Sequence, residues 1–244
     1  MLKELIILGC GPTHAECRYD KEVWGVNGTY TFAPRMDKLF MTDGPDQVME
    51  DIPNVAIIKS LGCPLILAER FPEVTPAFEK AGISVLRFPI EAVLAKFPTR
   101  FFSNSLAYMI ALALQMTTTV QEPGDLRPRV IDGYHKIYLY GIDMMTNSTY
   151  IQEKGGVEFW MGVAFGLGVE IINTRGSATG KTYNGLMYGW YGQQEAKKVR
   201  EQVFAPWEVV RTAKGDDQVL KHAINSEYVL QDNGDYIKQP IKRN

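Results

Sequence analysis

The chain has few cysteines and few histidines. Of its 244 residues only Cys10, Cys17 and Cys63 carry thiols, and only His14, His135 and His222 carry imidazoles. An odd cysteine count without a C-x-x-C pair provides neither a disulfide framework nor a zinc site. No resident metal is expected. No apolar run reaches the length needed to cross a bilayer. The apolar start lacks the basic segment and small-residue cleavage site of a secretory signal, so a cytoplasmic address is expected. Charge of one sign is also lacking: the formal net charge is −2. No global field would attract nucleic acid, although a local basic groove remains open.

Two nucleotide motifs are nearly present but incomplete. ILGCGPTHAE has Gly9 and Gly11, but Ala15 stands near the third place of a dinucleotide fingerprint and Pro12 sits inside the turn. Asp37 and Asp43 lie beyond where its acidic ribose ligand belongs, so no NAD or FAD cofactor is expected. GSATGKT at 176–182 has three residues between its first glycine and Gly180-Lys181, one short of a phosphate loop. It reads as a mobile surface loop, or as a substrate-side loop in which Lys181 or Arg175 meets a phosphate.

The positive signals are short apolar runs that end in small or polar residues. KELIILGCGPT at 3–13 is a strand running into Gly9, Gly11 and Pro12, and KIYLYGID at 136–143 ends in Gly141 and Asp143. Small residues there leave room for a ligand or for the neighbouring loop to approach the backbone. Further strands are expected around Val23–Val26, at 36–43, 55–60, 64–69 and 83–89, and at 169–173. Their lack of alternation suits a sheet covered on both faces. LAYMIALALQM reads as a buried helix capped by Ser103 or Ser105, and VEFWMGVAFGLG as a closely packed helix following Gly155 and Gly156.

These elements predict an α/β class: a Rossmann-like, doubly wound, mostly parallel sheet over residues 1–190. A surface insertion is expected near 117–132. Residues 191–244, with a charged helix near 191–203, are expected to form a helical C-terminal extension packed on that domain.

Three stretches carry a resemblance to a known family. ILGCGPT, WGVNGTYTF, and SNSLAYMIALAL followed by KIYLYGIDMMTNSTY resemble, in order and rough spacing, the bacterial lipooligosaccharide sialyltransferases and their phage-encoded, glycosyltransferase-like relatives. The likeness covers about residues 3–150. It implies a nucleotide-sugar donor, no metal, and transfer of a sugar to a hydroxyl acceptor. Carried over, Gly9, Gly11, Pro12 and Thr13 would lie against the donor nucleotide and Asn27 would bind phosphate or ribose. Asn104 and Ser105 would sit near base or phosphate, with Gly141 and Asp143 beside the nucleoside. Tyr150 would stand near the leaving phosphate. The family's catalytic histidines do not carry over, because no histidine lies between His135 and His222, and Leu106 replaces a family glycine.

Transfer needs a base toward the acceptor hydroxyl. The candidates are Asp43 at a strand end, His14 beside the glycine turn, Asp143, and Glu158 inside an apolar stretch. The other readings are a nucleotide-binding or sequestering module without turnover, and a nucleotide or nucleotide-sugar hydrolase.

Overall fold

The structure, a computed structural model, describes residues 1–144, 148–174, 177, 179–180, 207–211, 218–222, 228–230 and 236–238. It falls into two units, Met1–Lys181 and Thr182–Asn244.

The first unit is built on one eight-stranded sheet. Its strands are β1 (Leu2–Leu8), β2 (Glu22–Val26), β3 (Lys38–Met41), β4 (Leu65–Leu67), β5 (Val85–Arg87), β6 (Thr118–Val120), β7 (Arg129–Tyr140) and β8 (Glu170–Asn173). The order is β5-β4-β3-β2-β1-β7-β6, with β8 also paired to β7. All pairs are parallel except β6 with β7. The long β7 pairs with β6 through its first residues and with β8 through its later ones. This is the expected Rossmann-like arrangement.

The strands are apolar on both sides because both faces are buried. Leu5, Ile7, Trp24, Phe40 and Ile137 point to one face, against α5 (Ser105–Gln115) and α6 (Ser148–Gly166). Ile6, Leu8, Val23, Leu39 and Met41 point to the other. There they meet Val48 of α1 (Pro45–Met49), Ile58 of α2 (Val55–Ser60) and Phe78 of α3 (Thr75–Lys80). A further short helix, α4 (Ile90–Lys96), leads toward α5. Among the described residues no helix is long and apolar enough to cross a membrane.

Four local expectations need correction. VAIIKS at 55–60 is helix α2, not a strand; only Ile58 is fully buried, and so short an apolar run has no decisive period. The 117–132 stretch, expected as a patternless surface insertion, carries β6 and the start of β7, which pair antiparallel across an exposed turn. The α5 cap is Asn104, whose side chain accepts from the Ala107 amide at 3.0 Å. Gly155 and Gly156 lie inside α6, not before it. A Cβ on Gly156 would collide with Ser103, so that glycine permits the close packing.

In the second unit the described residues are strands. β9 (Trp207–Arg211) pairs antiparallel with β10 (Gln218–His222), and β11 (Tyr228–Leu230) with β12 (Tyr236–Lys238). A helical extension from 191 is therefore corrected over these segments. WEVVR, YVL and YIK are rich in β-branched and aromatic residues, which suit a pleated sheet. The helix expected near 191–203 lies outside the described residues.

From β1 the chain steps outward through β2, β3 and β4 to β5, then returns to β7 on the other side of β1. The order therefore reverses between β1 and β7. In open α/β sheets that reversal opens a crevice at the carboxyl ends of the strands.

Candidate functional site

Two very different walls meet at the crevice. The first is the seam between the ends of β1 and β7. Gly9 N donates to Tyr140 O and Gly11 N to Gly141 O, both at 2.8 Å. Gly141 has φ +67°, and a Cβ there would run into the Gly9 carbonyl. A Cβ on Gly9 would meet the Gly141 carbonyl, and one on Gly11 the Asp143 carboxylate. Thr13 completes the clasp. Its amide donates to Asp143 Oδ2 at 3.0 Å, its hydroxyl donates to Oδ1 at 2.6 Å, and that hydroxyl accepts from Gly141 N at 2.9 Å. Asp143 is buried with both oxygens engaged. The glycines are small here because the two loops touch each other.

The second wall belongs to β2, β3 and the start of α5. Asn27, just past β2, has φ +46°, a left-handed conformation that asparagine tolerates better than most residues. Its Nδ2 donates to Asp43 Oδ2 at 2.6 Å. Thr42 donates its hydroxyl to Ser105 Oγ at 2.8 Å, tying the end of β3 to α5. Ser103 donates to the Glu153 carbonyl at 2.7 Å, tying in α6. Two buried amide atoms on this side have no partner among the described residues: Asn27 Oδ1 and Asn104 Nδ2. Buried polar groups are normally paired, so each is an unmet hydrogen-bonding group.

Between the walls is an open cleft of about 490 Å³. It is lined by Gly9, Cys10, Gly11, Pro12, Val26, Asn27, Asp43, Gln47, Ser103, Asn104, Ser105, Leu106, Gly141, Ile142, Asp143, Met144 and Glu153.

No family model matches the chain. No curated protein sequence matches it either. Among solved structures it is similar to the sialyltransferase CstII from Campylobacter jejuni, determined in complex with a substrate analogue, cytidine-5'-monophosphate. The TM-score is 0.42 and the identity 14%, over 70% of this chain and 79% of that one.

Most of the sequence-predicted positions come together. Gly9, Gly11, Pro12, Asn27, Asp43, Asn104, Ser105, Gly141 and Asp143 all line the cleft. Thr13 stands behind it as the clasp on Asp143. His14 does not line it: its Nδ1 lies 2.9 Å from Gly11 O, and its ring packs on Phe32 with centroids 4.1 Å apart. Glu158 does not line it either. It accepts from the Gly180 amide at 2.9 Å and pairs with Lys154 at 3.4 Å. Tyr150 is in the first turn of α6, and its side chain lies outside the described residues. Lys181 and Arg175 also lie outside them. Within GSATGKT, Ser177 and Thr179 are buried, with Ser177 donating to Ile142 O at 2.6 Å, while Gly180 is exposed.

Sequence reasoning missed Cys10, Gln47, Ser103 and Glu153. Glu153 and Glu158 are five residues apart, which puts them on different faces of one helix. Nothing local distinguishes them before the helix is docked. Among the described residues no cluster of three or more His, Cys, Asp or Glu is arranged to hold a metal ion.

Proposed function

We propose that the chain is a glycosyltransferase-like protein that moves a sugar from a nucleotide-sugar donor to a hydroxyl acceptor in this cleft. One observation carries the reading. A half-buried carboxylate, Asp43, faces the cleft at the strand-order reversal, with Asn27 as its one hydrogen-bond partner among the described residues.

Asp43 then serves as general base. It takes the acceptor hydroxyl proton while that oxygen bonds to the sugar's anomeric carbon and the bond from that carbon to the phosphate oxygen breaks. Asp143 is less suited, because Thr13 occupies both its oxygens. The leaving phosphate needs hydrogen-bond donors. The start of α5 lies on the same cleft, and the first amides of a helix are groups of the right kind.

A screen of nucleoside diphosphate sugars and cytidine monophosphate sugars by calorimetry tests the reading. Binding no better than that of free phosphate refutes it. Transfer that disappears in Asp43→Asn, with binding retained, supports it and excludes a module without turnover. Glu153 favours a second reading, since another carboxylate on the same cleft suits water as the acceptor. Product released without any added acceptor would identify such a hydrolase.

A further inference from the structure

The outward side of α6 carries no charge at its exposed positions. Over residues 153–166 those positions are Gly155, Phe159, Gly162, Phe165 and Gly166. Val157, Trp160 and Ala164 fill the core side. A helix side that meets only water is ordinarily polar. Here Phe159 is 38% and Phe165 65% exposed. Phe101, 48% exposed, packs edge-on against Phe159 with ring centroids 5.5 Å apart. At the other end Arg127 lies over the Phe165 ring at 5.1 Å, next in sequence to the exposed Leu126. The exposed phenylalanines among the described residues are these three. A contiguous apolar patch of this kind marks a surface that something covers. The glycines have no internal reason to be small. A Cβ on Gly162 or Gly166 would meet no described atom within 4 Å. Each costs about 1 kcal/mol relative to alanine inside a helix, and what a bare backbone permits in return is close approach by another surface.

We propose that this face is the contact between two copies of the chain, paired antiparallel through α6 about a two-fold axis at Gly162. Such a contact requires a self-complementary patch. Phe159 and Phe165 stand three residues either side of Gly162, about 4.5 Å along the helix and about 60° around it in opposite senses. The two-fold rotation therefore brings Phe159 of each copy onto Phe165 of the other, with Gly162 at the crossing point where the backbones come closest. Charge follows the same symmetry. Arg127 borders the Phe165 end, and Glu158, paired with Lys154 along the helix, borders the Phe159 end. The rotation carries each arginine to the carboxylate end of the other copy. A partner of different sequence would need none of this symmetry. The pairing does not depend on what the cleft binds.

Sedimentation equilibrium of the full chain over the micromolar range tests the pairing. At the upper end of that range the unmodified chain should sediment at twice the chain mass. Phe165→Asp puts a charge on the face. Gly162→Leu holds the two backbones apart while improving helix propensity within each copy. Each should raise the dimer dissociation constant at least about tenfold, with far-UV circular dichroism unchanged. Leu86→Asp is the control, at an exposed apolar residue of β5 on the far edge of the sheet, and should leave the constant unchanged. If Gly162→Leu does not fold, Phe165→Asp decides alone. A chain that stays monomeric throughout overturns the proposal. So does a dimer that Phe165→Asp or a folded Gly162→Leu leaves intact, or that Leu86→Asp weakens as much.

Discussion

The two walls of the cleft end strands of the same sheet, yet they use their polar groups in opposite ways. At the β1–β7 seam every polar group named above is spent within the protein: Gly9, Gly11 and Thr13 donate to Tyr140, Gly141 and Asp143. At the β2–β3 wall Asn27 and Asn104 each keep one buried amide atom unmet. The seam is a joint, and the opposite wall keeps hydrogen-bonding capacity that the described protein does not use. A strand ending in glycine therefore signals close approach of backbone to something, and here that something is the neighbouring loop.

The largest expected effect comes from breaking the joint. Gly141→Ala places a Cβ against the Gly9 carbonyl and forces alanine to φ +67°. Backbone cannot step aside as a side-chain tip can. The overpacking and strain should cost about 3 kcal/mol or more. A thermal melt should show a fall on the order of 5–10 °C for a domain of this size. An unchanged melting temperature would mean that the seam glycines are small for some reason other than each other.

The sequence revealed the sheet better than it revealed the cleft. β1, β2, β3, β7 and β8 were legible because their apolar runs stop at Gly9, Asn27, Thr42, Gly141 and Asn173, polar or small residues that end strands. The α5 helix was legible as an unbroken run of helix formers, but its cap was not. Ser103, Asn104 and Ser105 are all good caps by chemistry. The choice among them is tertiary: Glu153 draws Ser103 away, Thr42 engages Ser105, and Asn104 is left to cap. Asp43 was found because it closes a strand, a one-dimensional signal. Glu153 was missed because its membership depends on how α6 is rotated. His14 was a reasonable candidate by sequence neighbourhood, but the turn that follows Gly11 points its ring at Phe32.

A smaller effect distinguishes the ligand edge from the amino edge of the same sheet. There Glu22 accepts from Trp24 Nε1 at 2.7 Å, Lys38 Nζ at 2.7 Å and Tyr134 OH at 2.8 Å. Burial pushes its carboxyl up, but the hydrogen bonds from Lys38, Trp24 and Tyr134 together outweigh that and hold it below the ordinary glutamate range. A carboxyl lowered on folding stabilises the protein above its unfolded pKa of about 4.3, and that contribution disappears as pH falls through the lower folded value. Glu22→Gln should therefore cost about 1–2 kcal/mol at neutral pH, the scale of a hydrogen bond to a charged group. The gap from the unmodified protein should close as the solution is acidified toward and below that range. Denaturant melts at several pH values measure it, and a pH-independent gap would show that the carboxylate's charge contributes nothing.

The smallest effect on stability should come from the mirror image of the first substitution, putting a glycine into the ligand wall. Asn27→Gly removes the hydrogen bond from Nδ2 to Asp43, which costs stability because the half-buried carboxyl loses its partner. It also removes the buried, unpartnered Oδ1 and relieves a side chain held at φ +46°, and both changes favour the folded state. These contributions are each about 1–2 kcal/mol and opposite in sign, so the net change should stay within about 1 kcal/mol. Binding should respond differently. Asp43, which lines the cleft, loses the amide that holds its carboxylate in place. Melting temperature and sugar affinity measured on the same preparation separate the two roles. A large loss of stability with affinity intact would make Asn27 part of the joint, and the contrast between the two walls would collapse.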